Sequence, residues 1–297
     1  MKILELFQSF QTQEQAVGHL EAVRWRGRPV CPYCGSEQVC HHASGDRKGQ
    51  RWQCQACTRA FAVTVGTIFH GTHIPLKSWF LVLALMLNTK KSASSCQIAR
   101  DLGMRQPTVW SMMHRARAAM MSDADQNALL RGIVEADETY IGGRPRRDNK
   151  RTDGKSSKRG RGTAKAAVIG VIERGGRVAA GATRMGKLSN KGLASFIMRF
   201  VDTQASLLIT DEYSGYHGIG RLIQHTTINH SVSYVDGQIH TNNIQGFWAH
   251  VKRAWYGSHH HCSRRYLPRY ISESGYKFSV RKSVEDFGGL LATMTGA

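Results

Sequence analysis

No apolar run in this sequence is long enough to cross a bilayer. The longest, Trp79-Phe80-Leu81-Val82-Leu83-Ala84-Leu85-Met86-Leu87, falls well short of the roughly 20 residues a spanning helix needs and reads as a buried helix. A secretion signal is also missing, because residues 1–26 mix Glu, Gln and Lys with their apolar residues and hold no uninterrupted apolar core; export is not expected. Acidic residues are scarce, 21 Asp and Glu against 41 Lys and Arg, for a net charge of +20. That balance lies far outside the usual range of a soluble metabolic enzyme and calls for a polyanionic partner, nucleic acid first. An anionic membrane would be the alternative partner, but no long basic amphipathic helix with an aromatic face is present. Cysteines number seven, an odd count that suits a reduced cytoplasm and a metal site better than a disulfide framework.

What is present divides into regions. A chain of 297 residues exceeds one average domain and accommodates two or three. Residues 1–28 read as an N-terminal helical segment, 29–70 as a zinc ribbon, 71–127 as a helix-turn-helix region, and 128–297 as an α/β catalytic domain.

The ribbon rests on Cys31-Pro32-Tyr33-Cys34 and Cys54-Gln55-Ala56-Cys57, two Cys-x-x-Cys knuckles separated by 19 residues. This spacing lets four thiolates surround one tetrahedral zinc. A redox dithiol is the competing reading of either pair alone. Four protein ligands leave no open coordination position, so the zinc is expected to be structural. The stretch Gln50-Arg51-Trp52-Gln53 is expected to pair as a short hairpin. Cys40 reads as a spare thiol and Cys96 as a buried helix residue.

In the middle of the chain, residues 93–103 form a helical pattern ending at Gly103, which can take a left-handed cap. A second helix is expected from Gln106, with Pro107 in its first turn. Val109, Met112, Met113 and Ala116 recur at helical spacing, whereas Arg105, Gln106, His114, Arg115 and Arg117 decorate the remaining surface. The pattern is that of a helix-turn-helix whose second helix enters a major groove, Arg105, Gln106 and Arg115 being candidate DNA contacts. An ordinary helical hairpin with solvated charges would share much of it.

From Gly132 the chain becomes strand-rich, with runs at 133–141, 164–172 and 177–183. A helix follows over 190–203 behind a Ser189 cap, and a further strand, 207–210, ends directly on Asp211. Three strands, a crossover helix and a fourth strand is the ribonuclease H-like order. Asp137 in the first strand and Asp211 at the end of the fourth could therefore meet. Phosphodiester chemistry needs such paired carboxylates to hold divalent metal ions.

Three segments carry a more specific likeness: Asp137-Glu138-Thr139-Tyr140-Ile141-Gly142-Gly143, Thr210-Asp211-Glu212-Tyr213-Ser214-Gly215-Tyr216, and His240-Thr241-Asn242-Asn243-Ile244-Gln245-Gly246-Phe247-Trp248 followed by Lys252-Arg253. Together with the ribbon and the helix-turn-helix, in the same order, they resemble the zinc-ribbon-bearing DDE insertion-sequence transposases of the ISXO2-like type. The resemblance covers nearly the whole chain. It implies that Asp137 and Asp211 ligate magnesium, or manganese in its place, and that a third catalytic residue stands on a helix starting near Asn242. Here the sequence departs from the family pattern, because Gln245, a neutral amide, aligns with the third acid. Some relatives use Asn there, which makes Asn242 the other candidate, and residues three apart on a helix share a face. Lys252 matches a basic residue that the family uses near the DNA backbone, and Arg253 adjoins it; a solvated surface lysine is the plainer alternative.

Residues 144–165 hold ten Lys or Arg and only two Asp, Arg146, Arg147, Lys158, Arg159 and Arg161 among them. This basic loop is expected to order on DNA with strongly salt-dependent affinity. The cluster His259-His260-His261-Cys262 is not expected to form a second zinc site, since adjacent residues cannot all point at one ion. The implied activity is that of a transposase: binding of double-stranded terminal inverted repeats, cleavage of phosphodiester bonds and joining of 3′-hydroxyl ends to target DNA. Paired ends imply at least a dimer, and the implied setting is the bacterial cytoplasm, on the nucleoid when DNA is bound. The alternative is a transposase-derived DNA-binding protein whose catalysis is weakened or lost at Gln245. A zinc-ribbon transcription regulator would leave the Asp137 and Asp211 motifs unexplained.

Overall fold

Local signals set most of the helices. Thr12 and Gln15 form a capping box, the Thr12 hydroxyl accepting from the Gln15 amide and the Gln15 side chain accepting from the Thr12 amide at 3.0 Å. Ser94 accepts from the amide of Gln97, and Ser189 from that of Gly192. In the computed structural model, residues 3–42, 52–121, 129–142, 165–183, 188–229, 237, 239–282 and 287–296 are described. They form two units, Met1–Ala124 with Ser283–Ala297, and Asp125–Lys282.

The first unit contains α1 (Ile3–Ser9), α2 (Gln13–Trp25), a three-stranded antiparallel sheet of β1 (Val39–His41), β2 (Trp52–Cys54) and β3 (Ala60–Phe61), and then α3 (Leu76–Asn88), α4 (Ser95–Asp101) and α5 (Gln106–Ala119). The expected apolar helix is α3, burying Leu76, Trp79, Phe80, Val82, Leu83, Ala84 and Met86. Between α4 and α5, Gly103 adopts φ 61°, and Pro107 stands in the first turn of α5, as the sequence suggests.

Three expectations for this unit are corrected. Cys96 is exposed, because the short α4 buries only Ile98 and Ala99. His114 and Arg117 do not decorate the surface; both are 2% exposed, since α5 is packed by α3, α4 and the chain's last helix, so more than one stripe of it is covered. That last helix, α9 (Phe287–Thr295), packs on α2 and α5, although the sequence assigns it to the catalytic domain. Its Phe287 ring stacks on His19, and the Met294 carbonyl accepts from the Ile68 amide.

The second unit is built on a five-stranded sheet of β4 (Leu130–Ile141), β5 (Ala166–Glu173), β6 (Val178–Ala182), β7 (Val201–Asp211) and β8 (Gln224–Ile228). Strand order is β6-β5-β4-β7-β8, with β4, β5 and β6 antiparallel and β7 and β8 running parallel to β4. Helix α6 (Asn190–Phe200) makes the crossover, and α7 (Asn242–Ala254) and α8 (Leu267–Ser279) follow the sheet. This is the ribonuclease H-like α/β fold. The crossover helix ends three residues earlier than expected: Val201 is already extended at φ −117°, and 201–203 open β7, where Val201 pairs with Leu130.

Each face of the sheet carries its own core. Val134, Ala136, Ile169, Val171 and Leu208 meet Leu193, Ile197 and Phe200 of α6. On the other face Ile141, Val168 and Ile172 meet Ile244, Phe247, Trp248 and Val251 of α7 and Leu267 and Ile271 of α8. Cover on both faces explains why β5 is an almost unbroken apolar run. Among the described residues no helix is long and apolar enough to cross a membrane.

Candidate functional site

The last registered pair between the parallel strands β4 and β7 is Glu135 with Ile209. Two residues further on each strand stand Asp137 and Asp211, and a step of two returns to the same face of a sheet. The carboxylates of Asp137, Glu138 and Asp211 each have an oxygen within 4.8 Å of the others. Oxygens on opposite sides of one magnesium ion lie about 4.2 Å apart, twice a metal–oxygen distance of 2.1 Å. Three hard oxygen donors on this scale fit a divalent cation.

Glu138 is the member of this group that sequence reasoning missed. Alternation on β4 sends its side chain to the opposite face from Asp137, which argues against a shared site. Just past the point where the β4–β7 pairing stops, however, the carboxylates still converge. Glu138 accepts a hydrogen bond from the buried Tyr216 hydroxyl at 3.1 Å. The Asp137 carboxylate accepts from the Glu138 amide at 2.8 Å, and that of Asp211 from the Tyr213 amide at 3.1 Å. The signal available in sequence was the acid directly after Asp137 in the first motif.

Burial raises the Asp137 carboxyl to about 7, and the neighbouring charges of Glu138 and Asp211 push in the same direction, while the Glu138 amide and the positive charge of Lys252 oppose them. The Tyr216 phenol is held well above its ordinary value by burial and by the same acids, so it remains a hydrogen-bond donor to Glu138. A divalent cation would relieve the mutual repulsion of the three carboxylates.

Helix α7 brings the remaining candidates. Asn242 and Gln245 lie on its exposed side, as do Lys252 and Arg253, and the Gln245 side-chain amide donates to the Thr241 hydroxyl at 3.3 Å. The helix has no cap from its own N-terminal residue Thr241. Instead Glu135, wholly buried in β4, accepts from the backbone amides of Asn243 at 2.9 Å and Ile244 at 3.1 Å. It accepts further from the Asn243 side chain at 2.7 Å and from Arg174 at 2.9 Å.

In the ribbon, the sulfur of Cys31 lies 3.7 Å from that of Cys57, and that of Cys34 lies 3.6 Å from that of Cys54. A tetrahedron with zinc–sulfur bonds of about 2.3 Å has edges of about 3.8 Å, so the four thiols fit one zinc ion. Strand β2 pairs with both β1 and β3, so Trp52 and Gln53 are paired as expected, while Gln50 and Arg51 lie outside the described residues.

The candidate DNA contacts are placed unevenly. Arg105 is exposed at the start of α5. Gln106 donates to the Ser95 hydroxyl at 2.8 Å. Arg115 donates to the His70 carbonyl at 2.7 Å and lies over the Trp79 ring, so its guanidinium is engaged within its own unit. Arg146, Arg147, Lys158, Arg159 and Arg161 lie outside the described residues. The His259 ring packs at 4.4 Å from that of Tyr270, and the acidic and cysteine groups above are the two candidate metal clusters among the described residues.

Residues 129–279 match the ISXO2-like transposase domain, and residues 11–60 match the transposase zinc-ribbon domain. A protein of transposable element ISH50 from Halobacterium salinarum is 27% identical over 288 residues, which is 93% of this chain and 92% of that protein. Among solved structures, a Mos1 transposase paired-end complex with left transposon end aligns over 72% of this chain and 73% of its own, at 10% identity and a TM-score of 0.30. A pre-cleavage Mos1 transpososome aligns over 73% and 78%, also at 10% identity and a TM-score of 0.30.

Proposed function

The chain belongs to the ISXO2-like transposase family, and on that premise we propose that it binds the terminal repeats of its insertion sequence, cleaves DNA strands there and joins the 3′-hydroxyl ends to target DNA. The observation that carries this reading is the convergence of the Asp137, Glu138 and Asp211 carboxylates within 4.8 Å, just past the last pair of the neighbouring strands β4 and β7.

In this reading Asp137 and Asp211 hold divalent metal, magnesium by preference because every donor is a hard oxygen. Glu138 adds a third carboxylate to a site in which Gln245 supplies none, and Gln245 or Asn242 offers an amide oxygen from α7. The metal, when bound, supplies activation of the attacking water or 3′-hydroxyl and stabilisation of the leaving oxygen. Lys252, whose charge already reaches Asp137, neutralises a phosphate of the strand beside the carboxylates, and Arg253 adds to that field. Tyr216 holds Glu138 in one orientation through its hydroxyl. The ribbon, its zinc held by Cys31, Cys34, Cys54 and Cys57, joins Arg105, just before α5, and the basic loop 144–165 in gripping double-stranded DNA. Paired ends require at least two copies of the chain.

The test uses purified protein, a terminal-repeat duplex and magnesium. Strand nicking that vanishes in Asp137→Asn, with DNA binding retained, is the expected result. Intact binding with no nicking by the parent protein defeats the claim of activity. A second reading, a DNA-binding protein with catalysis lost, draws on the uncharged Gln245 and its bond to Thr241. A large gain of cleavage in Gln245→Glu supports that second reading, and a loss supports a site adapted to the amide.

A further inference from the structure

We propose that Glu135 is a positioning residue that sets α7, and with it the residue at position 245, against the metal-holding carboxylates. The proposal rests on the assignment of Asp137 and Asp211 as metal ligands and of α7 as the source of the third.

Helix N-termini leave backbone amides unsatisfied, and a carboxylate placed there satisfies them while complementing the helix dipole. Such caps normally come from the residue just before the helix. In α7 that residue, Thr241, provides none, and the acceptor arrives from a strand 108 positions earlier in the chain. One Glu135 oxygen takes both the Asn243 and Ile244 amides; the other takes the Asn243 side chain and the Arg174 guanidinium. Arg174 also donates to the His240 carbonyl at 3.0 Å, and the His240 ring stands 3.3 Å from the same Glu135 oxygen. The approach to α7 and its first turn are therefore both tied to one carboxylate.

A fully buried charge is costly unless it is paired and hydrogen-bonded, and here the compensating groups are the Arg174 guanidinium and the first turn of α7. Glu135 lies two residues before Asp137 on the same face of β4, a separation of about 7 Å. The first metal ligand and the anchor of the third-ligand helix thus share one rigid strand, and tilt or sliding of α7 relative to Asp137 is opposed at its origin.

The experiment measures Mn2+ affinity of the full-length protein by the loss of the free-ion electron paramagnetic resonance signal, so it needs no DNA and no turnover. Gln245→Glu is compared with its parent in two backgrounds, natural and Glu135→Ala. Adding a carboxylate beside the metal should raise affinity about tenfold in the natural background, and the gain should vanish with Glu135→Ala. Each comparison is made within one background, so any general loss of affinity cancels. Where Glu135→Ala fails to melt cooperatively, Asn243→Ala and the isosteric Glu135→Gln take its place, and a reduced gain is the expected outcome. Equal gains in both backgrounds overturn the positioning role alone. No gain in the natural background removes position 245 from the metal, and the underlying assignment of α7 falls with it.

Discussion

The indole of Trp248 rests on Gly170. A Cβ at Gly170 would lie 2.7 Å from the Trp248 ring and 3.1 Å from the Ile244 side chain, and Gly170 is the direct partner of Asp137 across β4 and β5. Glycine is required there for close approach, since its φ is not in the left-handed region. The ring cannot retreat cheaply, because it is packed among Phe247, Val251 and Val168.

Gly170→Ala should therefore push α7 off the sheet. Overpacking of this kind costs about 1–3 kcal/mol, read as a lower denaturation midpoint at unchanged slope. Cleavage should fall further than DNA binding, because the displaced helix carries Gln245 and Asn242, the residues proposed as third ligand. Unchanged stability would mean that the helix is not seated as described.

If Glu138 provides the negative charge that Gln245 lacks, Glu138→Gln should weaken Mn2+ binding by about tenfold, as removal of one charge near the ion implies. Adding Gln245→Glu to that variant should restore most of the affinity. Tyr216→Phe, which removes the hydroxyl donor to Glu138, should have a smaller effect. Full affinity in Glu138→Gln, measured alongside an Asp137→Asn that has lost it, would confine Glu138 to a packing role.

Asp137 also makes a prediction about pH. Its carboxyl is raised to about 7 from an ordinary 3.8, so between these values the native state binds a proton that the unfolded chain has released. The stabilisation is complete below about pH 4 and is lost as pH rises through 7. Without added divalent metal, the natural protein should lose thermal stability over this range more steeply than Asp137→Asn, and magnesium should recover the loss at pH 8. Parallel melting profiles for the two proteins would contradict the burial of this group.

For the ribbon, Cys54→Ser should release the zinc, since a structural site holds its ion through all four ligands and contributes on the order of 10 kcal/mol to the fold around it. Metal content by atomic absorption should fall together with DNA binding. Cys96→Ser, at an exposed position on α4, should change neither. Zinc retained by Cys54→Ser would remove that thiol from the site.

Features that depend on near neighbours in the chain were open to sequence reading. Four cysteines in two knuckles, the Ser189 cap, the turn at Gly103 with Pro107 after it, and the apolar stripe of α5 are all short-range patterns. The motifs around Asp137 and Asp211 identified the family, and the strand-helix-strand order gave their reason for meeting. Tertiary structure decided the rest. Strand pairing placed Val201 in β7 where helical periodicity ran on to 203, and packing from several sides buried His114 and Arg117, which a single apolar stripe leaves outside. Helix α9 joined the first unit through contacts with α2 and α5 that no local pattern announces. The same holds at the catalytic end. Period-two alternation separates Glu138 from Asp137, and only the convergence of the carboxylates beyond the last β4–β7 pair brings it back. Glu135 reads as one buried acid in a strand until the fold delivers Arg174 and the unsatisfied amides of α7, since a charge can be kept inside a protein only where distant segments supply its partners.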